Sequence, residues 1–161
     1  MSGESLTPEK VLTLLVENPR QIAALTAGLA PVHLRERPRD GWSANDVLSH
    51  LRSCSDVWGK CIATMLAADQ PTLRAVNPRT WIKSTNYPEL EFRPSFRSFA
   101  KERGDLLALL EPLPHEAWSR AATVTGAGSV LERTVLFYAR WLARHERTHV
   151  KQIARIVKAV Q

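Results

Sequence analysis

The chain has 161 residues, 44% hydrophobic and 24% charged, a balance that excludes collagen-like, low-complexity and disordered classes. That length can bury a continuous core without covalent staples, so residues 1–161 read as a single domain. The formal charge of +6 permits an anionic partner. The basic residues are scattered, however, with no zinc-finger, RNA-binding or helix-turn-helix signature, which argues against nucleic acid.

No run approaches the roughly 18 consecutive apolar residues of a membrane span, and Met1 to Lys10 lacks a basic segment followed by an apolar one. A cytoplasmic protein without membrane association is expected. Cys54 and Cys61 fall in one predicted helix with Cα atoms about 10 Å apart, too far for a disulfide, so both are read as buried free thiols.

The first element, Thr7 to Leu29, opens with Thr7-Pro8-Glu9, an N-cap, a first-turn proline and an early acid. Val11, Leu12, Leu15 and Val16 follow at helical spacing. Asn18-Pro19 predicts a break or kink before the face resumes at Ile22, Leu25 and Leu29. Residues 30–42, with Pro31, Pro38 and Gly41, read as a loop. Helix two, about 44 to 67, starts at Ser43 with Asp46 three positions on and carries Val47, Leu51, Cys54, Trp58, Cys61 and Met65 inward.

From Ala68 to Arg93 the periodicity stops at Pro71, Pro78 and Pro88, while Trp81, Tyr87 and Phe92 are too apolar for a disordered linker. An ordered connection is expected, either covering one mouth of the bundle or plugging the end of its core. Helix three, from about Pro94 to Leu110, buries Phe96, Phe99, Leu106, Leu107 and Leu110. His115 to Arg120 allows one helical turn, and Ala121 to Gly128 reads as a loop. Helix four is predicted from about Val130 to Val160, capped by Ser129 with Glu132 completing a capping box. Strand content near zero is expected, giving an all-α fold: a four-helix bundle with a long crossover connection between helices two and three.

The chemistry lies in helix four, where His145 and His149 occupy the positions that continue the apolar stripe from Leu142 to Ile153. Two imidazoles one turn apart can reach one ion at about 2.0–2.1 Å per nitrogen, and burying both unpaired would be costly. The alternative is that each ring hydrogen-bonds another side chain. His145-Glu146-Arg147-Thr148-His149 matches the H-E-x-x-H pattern of zinc proteases, but no Asp, Glu, His or Cys follows His149 and no strand is predicted to hold a peptide. Glu146 is placed at the edge of the buried face.

A third nitrogen is available from His50, at the edge of the inward stripe of helix two, although a lone histidine there is ordinarily a satisfied core residue. If His50 lies level with residue 147, both helices extend about 13 to 17 residues past that level, so parallel and antiparallel pairings both stay in register.

Gly41-Trp42-Ser43, Asp46-Val47-Leu48-Ser49-His50-Leu51 and His145-x-x-x-His149-x-x-Gln152-Ile153 resemble the signature of the DinB-like four-helix metalloproteins, the DinB/YfiT-like family. In that family one histidine of the second helix and two of the fourth bind a divalent ion, often nickel or zinc. The resemblance implies His50, His145 and His149 as metal ligands, zinc or nickel as the ion, and an open coordination position for water or substrate. It covers the helix order over nearly the whole chain and is specific at these short motifs. Some relatives are thiol-dependent transferases or isomerases.

The expected function is accordingly a metal-dependent enzyme acting on small molecules, a thiol transferase or hydrolase type, with a low-molecular-weight thiol as a candidate cofactor or partner. A noncatalytic metal-binding stress-response protein and a basic nucleic-acid-binding bundle are the alternatives. Catalytic residues are not assigned, and a homodimer is compatible with the long apolar connection. Gln152 is placed to orient a ligand or a water, and Arg144 and Arg147 are candidates for holding an anionic cofactor. Trp42, Trp58 and Trp141 are read as packing residues, and His33 and His115 as unrelated to the site.

Overall fold

Three of the four long helices begin where a side-chain oxygen accepts from an amide that has no helical partner. The computed structural model describes residues 5–161; residues 1–4, part of the segment read as lacking a leader, lie outside them. The elements are α1 (Pro8–Thr26), α2 (Pro31–Arg35), α3 (Ala44–Ala67), β1 (Thr72–Arg74), α4 (Pro78–Trp81), α5 (Phe92–Leu110), β2 (Ala121–Thr125), β3 (Leu131–Thr134) and α6 (Val135–Val160), with one-turn 3-10 segments between. Thr7 caps α1 by accepting from the Lys10 amide, and Ser43 and Asp46 form the expected reciprocal capping box of α3.

Two stacked hydrophobic clusters set the helix directions. One gathers Val11 and Leu15, Ile62 and Met65, Leu106 and Leu110, and Val135 and Leu142. The other gathers Ile22, Leu48 and Leu51, Phe92 and Phe99, and Val150 and Ile153. So α1 and α6 run one way through the bundle, and α3 and α5 run the other. Helix α3 packs on α6 and α5, and α1 packs on the same two. Helices α3 and α5 are therefore parallel neighbours, and residues 68–91 travel back along the bundle to join them.

A polar layer separates the two clusters. On one side of α6 it holds Asn18, Arg103 and Glu146, all buried. Arg103 donates through both terminal nitrogens to the Glu146 carboxylate, and its Nη1 also donates to the Leu15 carbonyl at 2.9 Å. Asn18 Nδ2 donates to Glu146 Oε1 at 3.3 Å. The Leu15 contact explains why the expected break at Pro19 does not occur and α1 runs unbroken through it. Proline has no amide hydrogen, so the carbonyl four residues earlier loses its helical donor. Arg103 supplies a donor to that freed acceptor.

Two further expectations are corrected. A three-stranded sheet, ordered β1-β2-β3, caps one end: β1 pairs parallel with β2 (Thr72 opposite Thr123), and β2 pairs antiparallel with β3 (Ala121 opposite Thr134). The hairpin turns through Gly126 and Gly128, both at φ near +85 to +88°, where a side chain would be strained. Helix α6 consequently starts at Val135, capped by Thr134 accepting from the Phe137 amide at 3.0 Å, and not by Ser129 with Glu132. Leu131 and Val135 share a helical spacing, but Leu131 lies in a strand.

Among the described residues no helix is long and apolar enough to cross a membrane. Both cysteines are free thiols, Cys54 buried and Cys61 half-buried.

Removing one partner of a buried ion pair strands the other charge, at a cost of about 3–5 kcal/mol. Urea unfolding of Glu146→Gln or Arg103→Met is expected to show a loss of that order. Replacing both together should recover much of it, since no charge is then left unpaired.

Candidate metal centre

The other side of the polar layer is built by α3 and α6. Their antiparallel packing sets His50, near the start of α3, level with His145 and His149, which flank the middle of α6. The ring centroids lie 5.1 Å (His50–His145), 5.0 Å (His50–His149) and 4.5 Å (His145–His149) apart. One ring nitrogen from each lies within 4.8 Å of the others, the one such group of three among the described His, Cys, Asp and Glu residues. His50 Nε2 and His145 Nε2 are 2.9 Å apart. Around an ion with nitrogens at 2.0–2.1 Å and tetrahedral angles, they would stand roughly 3.3 Å apart, so a small outward shift accommodates one.

The rings are held by neighbours. Gln152 Oε1 accepts from His149 Nδ1 at 2.7 Å, an outer contact that fixes the ring's orientation. Trp42 lies parallel to the His149 ring and edge-on to His50. Trp58 meets His145 edge-on, and Cys54 Sγ lies 3.6 Å from His50 Nε2. Trp42 and Trp58, read as packing residues, thus also position imidazoles.

Burial, reinforced by the neighbouring imidazoles and by Arg79, lowers both His50 and His145 from 6.5 to about 4. Both are therefore neutral at pH 7 and present lone pairs, the form a metal ligand needs. Burial and the Glu146 charge push the Cys54 thiol up to about 12, so it stays protonated.

A cavity of about 510 Å³ opens beside the cluster, with His50 and His145 in its wall. Residues 75–79 of the connection and the Gly126 turn of the hairpin line its far side. The connection is fastened to α3 through Asp56, which accepts from Tyr87 Oη at 2.5 Å and Trp81 Nε1 at 3.1 Å. The segment thus forms a wall of the cavity that His50 and His145 also line.

Several residues differ from expectation. Glu146 is fully buried, turned away from the histidines toward α1 and α5, and bound to Arg103. The arginines lining the cavity are Arg79 and Arg133, in place of Arg144 and Arg147. Trp141, read as core, is 38% exposed and stacks on Trp58 at 4.6 Å in the cavity wall. Arg79 lies outside any periodic pattern, and only its place in an ordered, aromatic-rich connection pointed to it. His33 pairs with Glu36 away from the site, and His115 is exposed.

The DinB superfamily model matches residues 14–153. The chain belongs to the DinB superfamily. Among solved structures it is similar to YfiT from Bacillus subtilis, described as a probable metal-dependent hydrolase with an unusual four-helix bundle topology. That likeness has 18% identity, covers 98% of this chain and 91% of YfiT, and has a TM-score of 0.79. No match was found among curated proteins. At this identity YfiT supports the shared fold of this DinB-superfamily chain.

The depressed imidazoles set a pH dependence. Between pH 6.5 and about 4 the unfolded chain takes up protons at positions 50 and 145 while the folded chain does not, so stability is full above 6.5 and falls as pH is lowered. Thermal melts of metal-free protein from pH 7 to 4.5 should show a decline that is shallower in a His50→Asn/His145→Asn variant.

Proposed function

We propose that this protein binds one divalent ion through His50, His145 and His149 and uses it in an enzymatic reaction on a small molecule held in the adjoining cavity. The observation that carries this reading is the convergence of three ring nitrogens, two of them on His50 and His145, which are neutral at pH 7 and line that cavity. An all-nitrogen set suits zinc and nickel. Three protein ligands leave a coordination position open, which distinguishes catalytic sites from closed structural ones.

When bound, the ion supplies Lewis acidity, favouring the deprotonated form of a coordinated water or thiol. The chain's own groups do the rest. Gln152 bonds His149, Trp42 and Trp58 pack against the rings, and residues 75–79 form the facing wall of the cavity. Cys54, protonated, is a weak nucleophile beside His50. The reaction class is hydrolysis or transfer of a low-molecular-weight thiol, and the description of YfiT as a probable metal-dependent hydrolase supports the first.

A noncatalytic metal-binding role is the second reading. The cavity favours the catalytic one, since an ion that only braced the bundle would not need a neighbouring space of this size.

Metal analysis of purified protein should find about one ion per chain in the wild type and little in His50→Ala, His145→Ala or His149→Ala, with circular dichroism unchanged. Equal metal content in all four would refute these ligands. Loss of an outer hydrogen-bond partner typically costs 10–100-fold in metal affinity. Gln152→Ala should therefore bind zinc at least about tenfold more weakly in competition with a chelating dye.

A further inference from the structure

The cavity beside the histidines has a one-sided charge. Two guanidinium groups, Arg79 from α4 and Arg133 from β3, line it, and no Asp or Glu does. This differs from the two arginines that are buried in the bundle: Arg52 meets Glu102 and Arg103 meets Glu146. Among the described residues neither Arg79 nor Arg133 makes an ion pair. Arg79 faces the Trp42 ring at 5.8 Å, and Arg133 lies over Phe137, Trp141 and Tyr138 at 4.8, 5.3 and 5.9 Å.

Arg79 is held in place by its backbone, leaving its head available. Its amide donates to Asn77 Oδ1 at 2.9 Å, and two residues on, Trp81 is tied to Asp56. It lines the cavity together with His50 and His145. It also lines a second cavity, on the Trp42 side of His50. A cationic head with no protein anion, beside a site suited to a divalent ion, creates a field that concentrates negative ligands. Guanidinium groups match carboxylates and phosphates through paired hydrogen bonds. The remaining wall is aromatic: Trp58 and Trp141 stack at 4.6 Å, and Trp141 is part-exposed.

We propose that the substrate is a small anion with a carboxylate or phosphate at one end and an apolar, aromatic body, the anion held by Arg79 and Arg133 and the body by the Trp58–Trp141 stack. This rests on the reading of the cavity as the substrate site of the metal centre, and it names the class of molecule that enters. Arg79 and Arg133 are the residues that select it.

The test is calorimetric titration of zinc-loaded and of chelator-treated protein with 1-naphthoate, 1-naphthyl phosphate and the neutral 1-naphthalenemethanol. A charge-assisted bond corresponds to roughly ten- to a hundredfold in affinity. At least one anion should bind about tenfold or more tightly than the alcohol, and whether it is naphthoate or naphthyl phosphate separates a carboxylate substrate from a phosphate one. Arg79→Ala should erase most of that ratio, Arg79→Lys should keep part of it, and acetate or inorganic phosphate, lacking the ring, should bind more weakly than the aromatic anions.

The proposal is overturned if none of the naphthyl compounds binds, if the alcohol binds as well as both anions, or if the ratio survives in both Arg79→Ala and Arg133→Ala. The two readings fail separately. A preference for anions in chelator-treated protein, together with no retained zinc, upholds the anion site and removes the metal. Retained zinc with no anion preference does the opposite.

Discussion

The antiparallel register of α3 against α6 is the constraint on which the site depends. A one-turn slip moves a helix by about 5.4 Å, more than the 4.8 Å within which the three ring nitrogens lie. Contacts on either side of the histidines hold that register: Trp58 on Trp141 toward one end, and Trp42 against His149 toward the other. Helix α6 thereby carries polar groups to two destinations. Residues 145 and 149 turn toward α3 and the cavity, while residue 146 turns toward α1 and α5.

A polar layer through a hydrophobic core is tolerable only if its groups are partnered. On the α1/α5 side the partners are all protein: Arg103, Glu146 and Asn18, with the Leu15 carbonyl that Pro19 leaves free. On the cavity side, Gln152 satisfies His149, while His50 and His145 face each other across 2.9 Å. Charge is neutralised on one side and concentrated on the other, where Arg79 and Arg133 line a cavity without a carboxylate. The connection from α3 to α5 follows from the same arrangement. Because those helices are parallel, the chain must return along the bundle, and its return brings α4 and Arg79 beside the histidines.

Much of this was legible in the sequence because it rests on local rules. Helical spacing places His145, His149 and His50 inward, and the Ser43-Asp46 box marks the start of α3. The DinB-like motifs at residues 41–51 and 145–153 point to the family that the chain belongs to. What was hidden depends on partners distant in the chain. Nothing near Pro19 shows that Arg103, 84 residues on, will bond the Leu15 carbonyl. Glu146 sits between two histidines and looks peripheral until its partner on α5 is known. The strands escaped because Leu131 and Val135 also fit a helical stripe, and because β1 and β2 are stabilised by pairing across the sheet more than by their own short sequences. Arg79 and Arg133 carry no spacing signal, since only the folded connection and hairpin set them in one wall.

X-ray absorption at the metal edge of zinc-loaded protein addresses the shared coordination directly. The account predicts about three imidazole nitrogens near 2.0 Å, with the outer-shell scattering of histidine rings and at least one further light ligand. A shell dominated by sulfur, or one lacking imidazole scattering, would contradict it.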